Sequence, residues 1–151
     1  MITGTFVIST SFSNSSLARD IFTPPPIKNK GFLNKNNPED LKKYLETWQQ
    51  ANLLILPTRA ECSAIVFSEA AAYGIPVITT DTGGIGTYVL NDVNGERLPL
   101  SANGKDYADV IEKWVKDKKL EKYSKGAKEL YIKNISWDAW GKHFNEMFKI
   151  N

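Results

Sequence analysis

The sequence predicts an α/β domain with a Rossmann-like, open and mostly parallel sheet that carries helices on both faces. Two short runs, Leu53–Leu56 and Val77–Thr80, have the aliphatic and β-branched composition of buried parallel strands. Between them lies a nearly continuous apolar segment of helical length. Alternation of strand, helix and strand is typical of parallel sheets, whose ligands bind at the carboxyl ends of the strands. The 151 residues suffice for one such domain.

Local signals define the helix between the two runs. Ser63 is a good N-cap, and the helix is predicted to continue to about residue 73. Gly74 suits the position after a helix end, and Pro76 prevents the helix from resuming. Because this helix is apolar on nearly all sides, it is predicted to be buried, and a carboxylate on it needs a partner.

The region before these elements is predicted to contain a strand, a short edge strand and a helix. Residues 5–9 predict the strand and residues 27–33 the edge strand, with a proline run at 24–26 as an extended connector. Asn37-Pro38 is typical of a helix cap and first helical position. The helix that follows carries apolar residues at helical spacing, namely Leu41, Tyr44, Leu45 and Trp48.

The second half of the chain is predicted to add a strand and further helices. Asn94-Gly95 predicts a turn, and a strand over residues 96–98 follows. Two helices are striped by apolar residues, one by Tyr107, Val110, Ile111, Trp114 and Val115 and the other by Leu120, Tyr123, Ala127, Leu130 and Tyr131. Ser136 is predicted to cap a last helix whose inner face carries Trp140, Phe144, Met147 and Phe148.

Two carboxylates, Glu61 and Glu69, lie before and within the central helix. A helix N-terminus binds anions, and carboxylates accept hydrogen bonds from sugar hydroxyls, so this segment predicts a site for a sugar joined to a phosphate. The first free N–H groups would be near Ser63, Ala64 and Ile65. Glu69 then lies roughly 9 Å further along the helix axis. The alternative interpretation makes both glutamates solvated surface residues.

The loops at 58–61 and 81–86 follow the two central strands and are therefore expected to share one cleft. Gly83 and Gly84 in the second loop have two interpretations. They fit a tight turn that needs positive φ, and they fit a close approach of the backbone to a sugar.

The motifs of residues 61–84 together resemble those of a known family. Glu61 and Glu69-Ala, separated by seven residues, precede Gly-Ile-Pro-Val-Ile-Thr-Thr-Asp-Thr-Gly-Gly at 74–84. Further matches are Gly31-Phe-Leu33, Asp92-Val-Asn-Gly95 and Ile135-Ser-Trp137. Over residues 27–151 the sequence resembles the carboxy-terminal, donor-binding half of the retaining, nucleotide-sugar-dependent group 1 glycosyltransferases, which have the GT-B fold.

This resemblance implies a role for each matching residue. Glu61 would be the catalytic residue, in contact with the donor sugar near the reacting carbon, and Glu69 would accept both ribose hydroxyls. The other donor-binding residues that it implies are Ser63, Ala64 and Ile65 at the diphosphate and Phe32 and Leu33 at the nucleobase. The resemblance also implies a nucleotide-diphosphate sugar as donor and no metal cofactor, since the helix dipole and basic side chains replace the cation.

The sequence departs from the family pattern at its start. Residues 1–26 are divergent, and no segment matches the family's first strand and helix or the basic loop that gives an Arg and a Lys to the diphosphate. Arg59 is the candidate replacement for these basic residues. The acceptor domain has no counterpart either, so we expect the chain alone to be inactive. The alternatives are a nucleotide-sugar binding module without turnover and an inactive structural fragment.

The family's first strand, which has no match in this sequence, is central in the family's sheet. Without it, strand 53–56 would have an unpaired edge. The edge of strand 53–56 must then be covered by strand 5–9 or by a second copy of the chain. Unpaired edges recruit partners, so self-association through this edge is also expected.

Composition narrows the remaining classes of function. A net charge of +2 does not favour nucleic-acid binding. Cys62 and His143 are the lone cysteine and histidine, so an internal disulfide and a Cys/His metal cluster are excluded. The start has no signal-peptide pattern, and no apolar run approaches the ~20 residues of a membrane span. We expect a cytoplasmic protein, or one at the periphery of the inner membrane face.

Overall fold

The computed structural model of the protein describes residues 6–8, 30–62 and 65–148, with the backbone alone for residues 6–8. The strands are β1 (Phe6–Ile8), β2 (Leu53–Leu56), β3 (Val77–Thr80) and β4 (Gly95–Leu98). The helices are α1 (Pro38–Gln50), α2 (Ile65–Ala72), α3 (Gly104–Lys116), α4 (Lys119–Leu130) and α5 (Trp137–Met147). A 3-10 segment, Gly83–Thr87, follows β3, and a π-helical segment, Tyr131–Ile135, joins α4 to α5.

The described strands form one sheet in the order β1-β2-β3-β4. β2, β3 and β4 are parallel, with Ile78 paired to Ile55 on one side and to Glu96 on the other. These pairings confirm the predicted open, mostly parallel α/β sheet. β1 runs antiparallel to β2, with Val7 opposite Leu54. Of the two arrangements expected for the edge of β2, the structure therefore shows the one in which a strand of the same chain covers it.

Each face of the sheet has its own apolar core. On one face, Leu54 packs with Phe67 of α2 and Trp48 of α1. On the other face, Ile78 packs with Trp114 of α3 and with α4. Helices thus cover both faces, as the sequence predicts. The strands are held in place by side chains whose burial is worth about 1.5–3 kcal/mol each.

The predicted helix ends form as their sequence signals indicate. The Asn37 side chain accepts hydrogen bonds of 2.9 and 3.2 Å from backbone N–H groups in the first turn of α1. Gly74, with a φ of 69°, follows the end of α2. The Ser136 hydroxyl accepts a hydrogen bond of 3.1 Å from an N–H group of α5. The predicted cap at Ser63 lies outside the described residues.

The edge strand predicted over residues 27–33 is wrong for residues 30–33, which are irregular, and residues 27–29 lie outside the described part. The backbone of the following segment turns toward α1. The Asn34 N–H donates to the Asp40 carboxylate at 3.2 Å, and the Asn34 carbonyl accepts from the Asn37 N–H at 2.9 Å. These backbone groups therefore bond to the start of α1 and not to a neighbouring strand.

The predicted inner face of the last helix is also wrong. Trp140, Phe144, Met147 and Phe148 are 56%, 41%, 75% and 62% exposed. Within α5, which is described throughout, only Ala139 is buried. The rings stack on one another along the outside, with centroid distances of 5.1 and 4.6 Å. An amphipathic pattern identifies an apolar face, but it does not say whether another element covers that face.

Candidate functional site

The loops after β2 and β3 meet at the carboxyl edge of the sheet. A β-carbon on Gly83 would collide with the carbonyl oxygen of Glu61, and one on Gly84 would collide with that of Cys62. Gly83 also has a φ of 54°, where other residues are strained. The turn interpretation, which needs positive φ, is therefore confirmed for Gly83, and both glycines allow a close approach to the Glu61 loop. A further contact with a sugar stays a prediction.

Glu61 lies at this edge and is half-buried, between the exposed residues Ala60 and Cys62. α2 begins close by at Ile65, whose side chain is 71% exposed. Ser63 and Ala64 lie outside the described residues, so their contacts with a diphosphate stay predictions. Arg59 is exposed in the same loop. The structure thus places Glu61, Ile65 and the paired glycines at one edge.

Glu69 lies in the second turn of α2 and has the partner that its burial requires. Its Oε1 atom accepts a hydrogen bond of 2.7 Å from the Nζ group of Lys35, and its side chain is 27% exposed. The same Nζ group donates to the Tyr44 hydroxyl at 3.1 Å. It also lies 4.2 Å from the centre of the Tyr44 ring. Lys35 was not predicted from the sequence, because no motif or spacing links it to Glu69.

The Lys35 ammonium and the Tyr44 phenol, which lie beside Glu69, both have pKa values above their usual ranges. The hydrogen bond to Glu69 raises the pKa of the Lys35 ammonium, and the hydrogen bond to Tyr44 adds to this effect. Burial raises the pKa of the Tyr44 phenol, with a contribution from Glu69. At neutral pH the Lys35 ammonium is therefore charged and the Tyr44 phenol is neutral.

The predicted nucleobase segment lies in the same loop as Lys35. The side chain of Phe32 is 92% exposed, and Leu33 is half-buried. Lys35 ties this loop to Glu69 across 34 positions of sequence. The structure thus brings the predicted base-contacting loop beside the predicted ribose-binding carboxylate.

A second basic residue at the sheet edge, Arg97 of β4, was not predicted either. Its Nη1 atom donates to the Asp81 carboxylate at 2.7 Å, directly after β3. The guanidinium lies against Gly86, where a β-carbon would come within 2.7 Å of Nη1. Its Nε atom is buried and has no hydrogen-bond partner among the described residues. Arg97 therefore braces the loop that carries Gly83 and Gly84.

Other features of the surface do not coincide with this edge. An open groove of about 600 Å³ shares no residue with it, and its charged lining is mixed, with lysines, glutamates and Asp92. Among the described residues, no three His, Cys, Asp or Glu side chains are grouped so that they could hold a metal ion. No helix in the described part is both long enough and apolar enough to cross a membrane.

A comparison with known protein families identifies the family to which this chain belongs. The model of the family described as Glycosyl transferases group 1 matches residues 26–130. The chain belongs to this family. The family recognised from the sequence is therefore confirmed, with a match that covers residues 26–130, while the roles of single residues stay predictions.

Similar proteins carry glycosyltransferase names. Lipopolysaccharide 1,2-N-acetylglucosaminetransferase of Salmonella typhimurium is 29% identical over 100 residues, which cover 66% of this chain and 26% of that protein. A D-inositol 3-phosphate glycosyltransferase of Xylanimonas cellulosilytica is 32% identical over 77 residues, which cover 49% of this chain and 18% of that protein. The chain thus spans about a quarter of these relatives or less.

Two solved structures share the fold. Sucrose-phosphate synthase from Thermosynechococcus elongatus has a TM-score of 0.58 and 25% identity, covering 70% of this chain and 28% of that one. WaaG, a glycosyltransferase involved in lipopolysaccharide biosynthesis, has a TM-score of 0.56 and 21% identity, covering 72% and 30%. The chain therefore has the architecture of part of a GT-B glycosyltransferase.

Proposed function

We propose that this chain is the donor-binding domain of a retaining glycosyltransferase that uses a nucleotide-diphosphate sugar. One observation carries the proposal. Lys35 links Glu69 of α2 to the loop that carries Phe32. Glu61 lies at the carboxyl edge of the sheet, beside the start of the same helix. Ile65 and Glu69 are four residues apart, or about 6 Å along the helix axis. The order Glu61, start of α2, Glu69 suits a donor whose sugar, diphosphate and nucleoside follow one another.

In the proposed reaction, the bond between the sugar and the diphosphate breaks through an oxocarbenium-like state. The leaving diphosphate gathers negative charge, which the N–H groups at the start of α2 would stabilise because they are already oriented. Glu61 would position the sugar through its hydroxyls and offset positive charge on the ring. An acceptor that attacks from the face of the departing diphosphate would give retention.

The acceptor would be held by an amino-terminal domain, which is the second proposed partner besides the nucleotide sugar. Oriented binding of two reactants can account for ~7–11 kcal/mol of a barrier. We therefore expect residues 1–151 alone to show no transfer and at most slow hydrolysis of a nucleotide sugar. The proposed site uses no metal cofactor, with the helix N-terminus and Arg59 as the positive groups near the diphosphate.

Calorimetric titration of the chain with UDP, GDP and ADP, free and joined to sugars, tests this proposal. We expect weak binding, with a Kd on the order of 1 mM, because the family's basic loop is not matched. Glu69→Ala should reduce affinity by about 1.5–3 kcal/mol, the range for a hydrogen bond to a charged group. The exposed Glu46 of α1 offers the control Glu46→Ala, which should bind like the wild type.

A second ligand series separates a ribose contact from a general loss of binding. A 2′,3′-dideoxy nucleotide should bind the wild type less tightly, but should lose little more on Glu69→Ala. If the dideoxy change costs the same in both proteins, Glu69 does not receive the ribose. If no nucleotide binds the wild type, the chain is not a donor-binding domain on its own.

A further inference from the structure

The contacts of Lys35 go beyond those of an ordinary surface lysine. Its Nζ group meets the Glu69 carboxylate at 2.7 Å, the Tyr44 hydroxyl at 3.1 Å and the face of the Tyr44 ring at 4.2 Å. These partners belong to α2 and α1, while Lys35 belongs to the loop before α1. One ammonium group therefore joins three separate parts of the chain.

The Glu69 carboxylate has acceptor positions beyond the one that Lys35 uses, and the neighbouring Tyr44 hydroxyl also interacts with this carboxylate. A carboxylate has two oxygens and about four acceptor positions, and Lys35 uses one position on Oε1. Since an ammonium only donates, Lys35 fixes the carboxylate without competing for its other acceptor positions. A pair of ribose hydroxyls, which donate side by side, could bind to the positions that remain.

The same contact holds the loop that carries Phe32. The Asn34 N–H donates to Asp40 of α1, six positions away, and the Asn36 N–H donates to the Asn34 side chain, two positions away. Both of these hydrogen bonds are local in sequence. The bond from Lys35 instead spans 34 positions and ends on α2. It therefore links the loop that carries the exposed Phe32 ring to the helix that carries Glu69.

We propose that Lys35 is a positioning residue of the nucleotide site, which holds the Glu69 carboxylate through Oε1 for the ribose and anchors the loop of Phe32. This inference rests on the proposed function, because it assigns a nucleoside to Glu69. Because the Lys35 side chain is 54% exposed, water screens its ion pair with the partly buried Glu69, and the pair contributes little to folding stability. The effect of Lys35 should therefore be found in ribose recognition and in loop order, not in the stability of the domain.

The first test compares UDP, GDP and ADP with their 2′,3′-dideoxy counterparts by calorimetry. Lys35→Met keeps the side-chain length and removes the charge. It should reduce the preference for ribose about fivefold or more, which is less than the ~12-fold or greater loss expected when a hydrogen bond to a charged group is removed outright. Lys35→Arg should restore part of this preference. In a Glu69→Gln background, Lys35→Met should change the Kd less than about twofold, because coupled residues are not additive.

A matched control is available on α3, where Lys105 forms an ion pair of 2.6 Å with Asp109. Lys105→Met removes the same charge and the same type of contact, and it should leave the ribose preference unchanged. Equal losses of UDP and dideoxy-UDP binding in Lys35→Met would overturn the inference while leaving the donor-binding proposal intact. Absence of nucleotide binding in the wild type would overturn both.

The second test needs no nucleotide and so separates the two claims. Amide hydrogen exchange of residues 31–36 should become several-fold faster in Lys35→Met, because a lost anchor lets the loop open. The exchange of β2 and β3 should not change, and Lys105→Met should leave the loop at the wild-type rate. Wild-type exchange of residues 31–36 in Lys35→Met would show that Lys35 does not anchor the loop.

Discussion

The ring of Tyr123 packs edge-on against that of Trp114, with centroids 4.6 Å apart and planes at 60°. Both side chains are fully buried. The Trp114 indole donates to Glu96 of β4, and the Tyr123 hydroxyl donates to Asp92 in the turn before β4, each at 3.1 Å. The pair therefore fastens α3 and α4 to the last strand and its turn.

Trp114→Ala should be strongly destabilising. Removing a buried Trp side chain leaves a cavity and typically costs about 3–5 kcal/mol. Trp137 provides the matched control, because its side chain is 82% exposed, and Trp137→Ala should change stability by less than about 0.5 kcal/mol. Urea unfolding followed by circular dichroism measures both. Similar losses for the two variants would contradict the burial of Trp114 against β4 and α4.

Tyr123 should make the domain sensitive to alkaline pH. Burial, together with the hydrogen bond to Asp92, raises the pKa of Tyr123 from 10.0 to about 12. Because the folded state resists ionisation, this stability is fully present below the pKa of the unfolded chain and is lost as pH rises from 10 to 12. Two pKa units correspond to about 3 kcal/mol.

The test for Tyr123 is the difference in unfolding free energy between the wild type and Tyr123→Phe across pH 9 to 12. The wild type should lose more stability over this range, since the variant has no hydroxyl to ionise. Tyr73→Phe is the control, because Tyr73 is 37% exposed. A constant difference between wild type and Tyr123→Phe would show that this phenol does not control the alkaline transition.

Gly84→Ala should disturb the sheet edge without affecting the cores. The added β-carbon collides with the Cys62 carbonyl, and forcing such a contact typically costs about 1–3 kcal/mol. We also expect weaker nucleotide binding, because the loop of Glu61 must shift. Gly141 has nothing within 4 Å of an added β-carbon, and Gly141→Ala in α5 should stabilise by about 0.5–1 kcal/mol. Thermal unfolding and calorimetry measure the two effects.

Glu61→Ala should separate chemistry from nucleotide binding. In a complete enzyme that carries this domain, turnover should fall by roughly 100-fold or more, the range for loss of an electrostatic group at the reacting centre. The Kd of the nucleoside diphosphate should change little, because Glu61 faces the sugar in the proposed site. Glu69→Ala should instead reduce nucleotide affinity more than it reduces turnover. Intact turnover with abolished nucleotide binding in Glu61→Ala would mean that the two roles are reversed.

Removal of residues 1–9 should cause self-association. β1 covers the edge of β2 through the pairs at Phe6, Val7 and Ile8, and its loss exposes unpaired backbone groups that recruit other strands. Light scattering should show a mass that rises with concentration in the truncated chain more steeply than in the whole chain. Monomers of the truncated chain at high concentration would contradict this role of β1.

The fold was predictable because its signals are local. Buried runs at 53–56 and 77–80, together with Asn37, Gly74 and Ser136 at helix ends, define strands and helices through backbone chemistry that needs few distant partners. The Glu61 and Glu69 motif and the Gly83-Gly84 turn were sufficient to recognise the family. The sequence by itself therefore determined the class of fold, the family and the edge of the sheet where the candidate site lies.

Only the tertiary structure decided which distant groups meet. The bond between Lys35 and Glu69 joins positions 34 apart, and that between Arg97 and Asp81 joins positions 16 apart, and neither spacing carries a signal. The exposed rings of α5 have the same sequence pattern as buried ones, so periodicity could not distinguish them. Side-chain pairing and coverage of an apolar face depend on how elements pack in three dimensions, which a one-dimensional pattern does not encode.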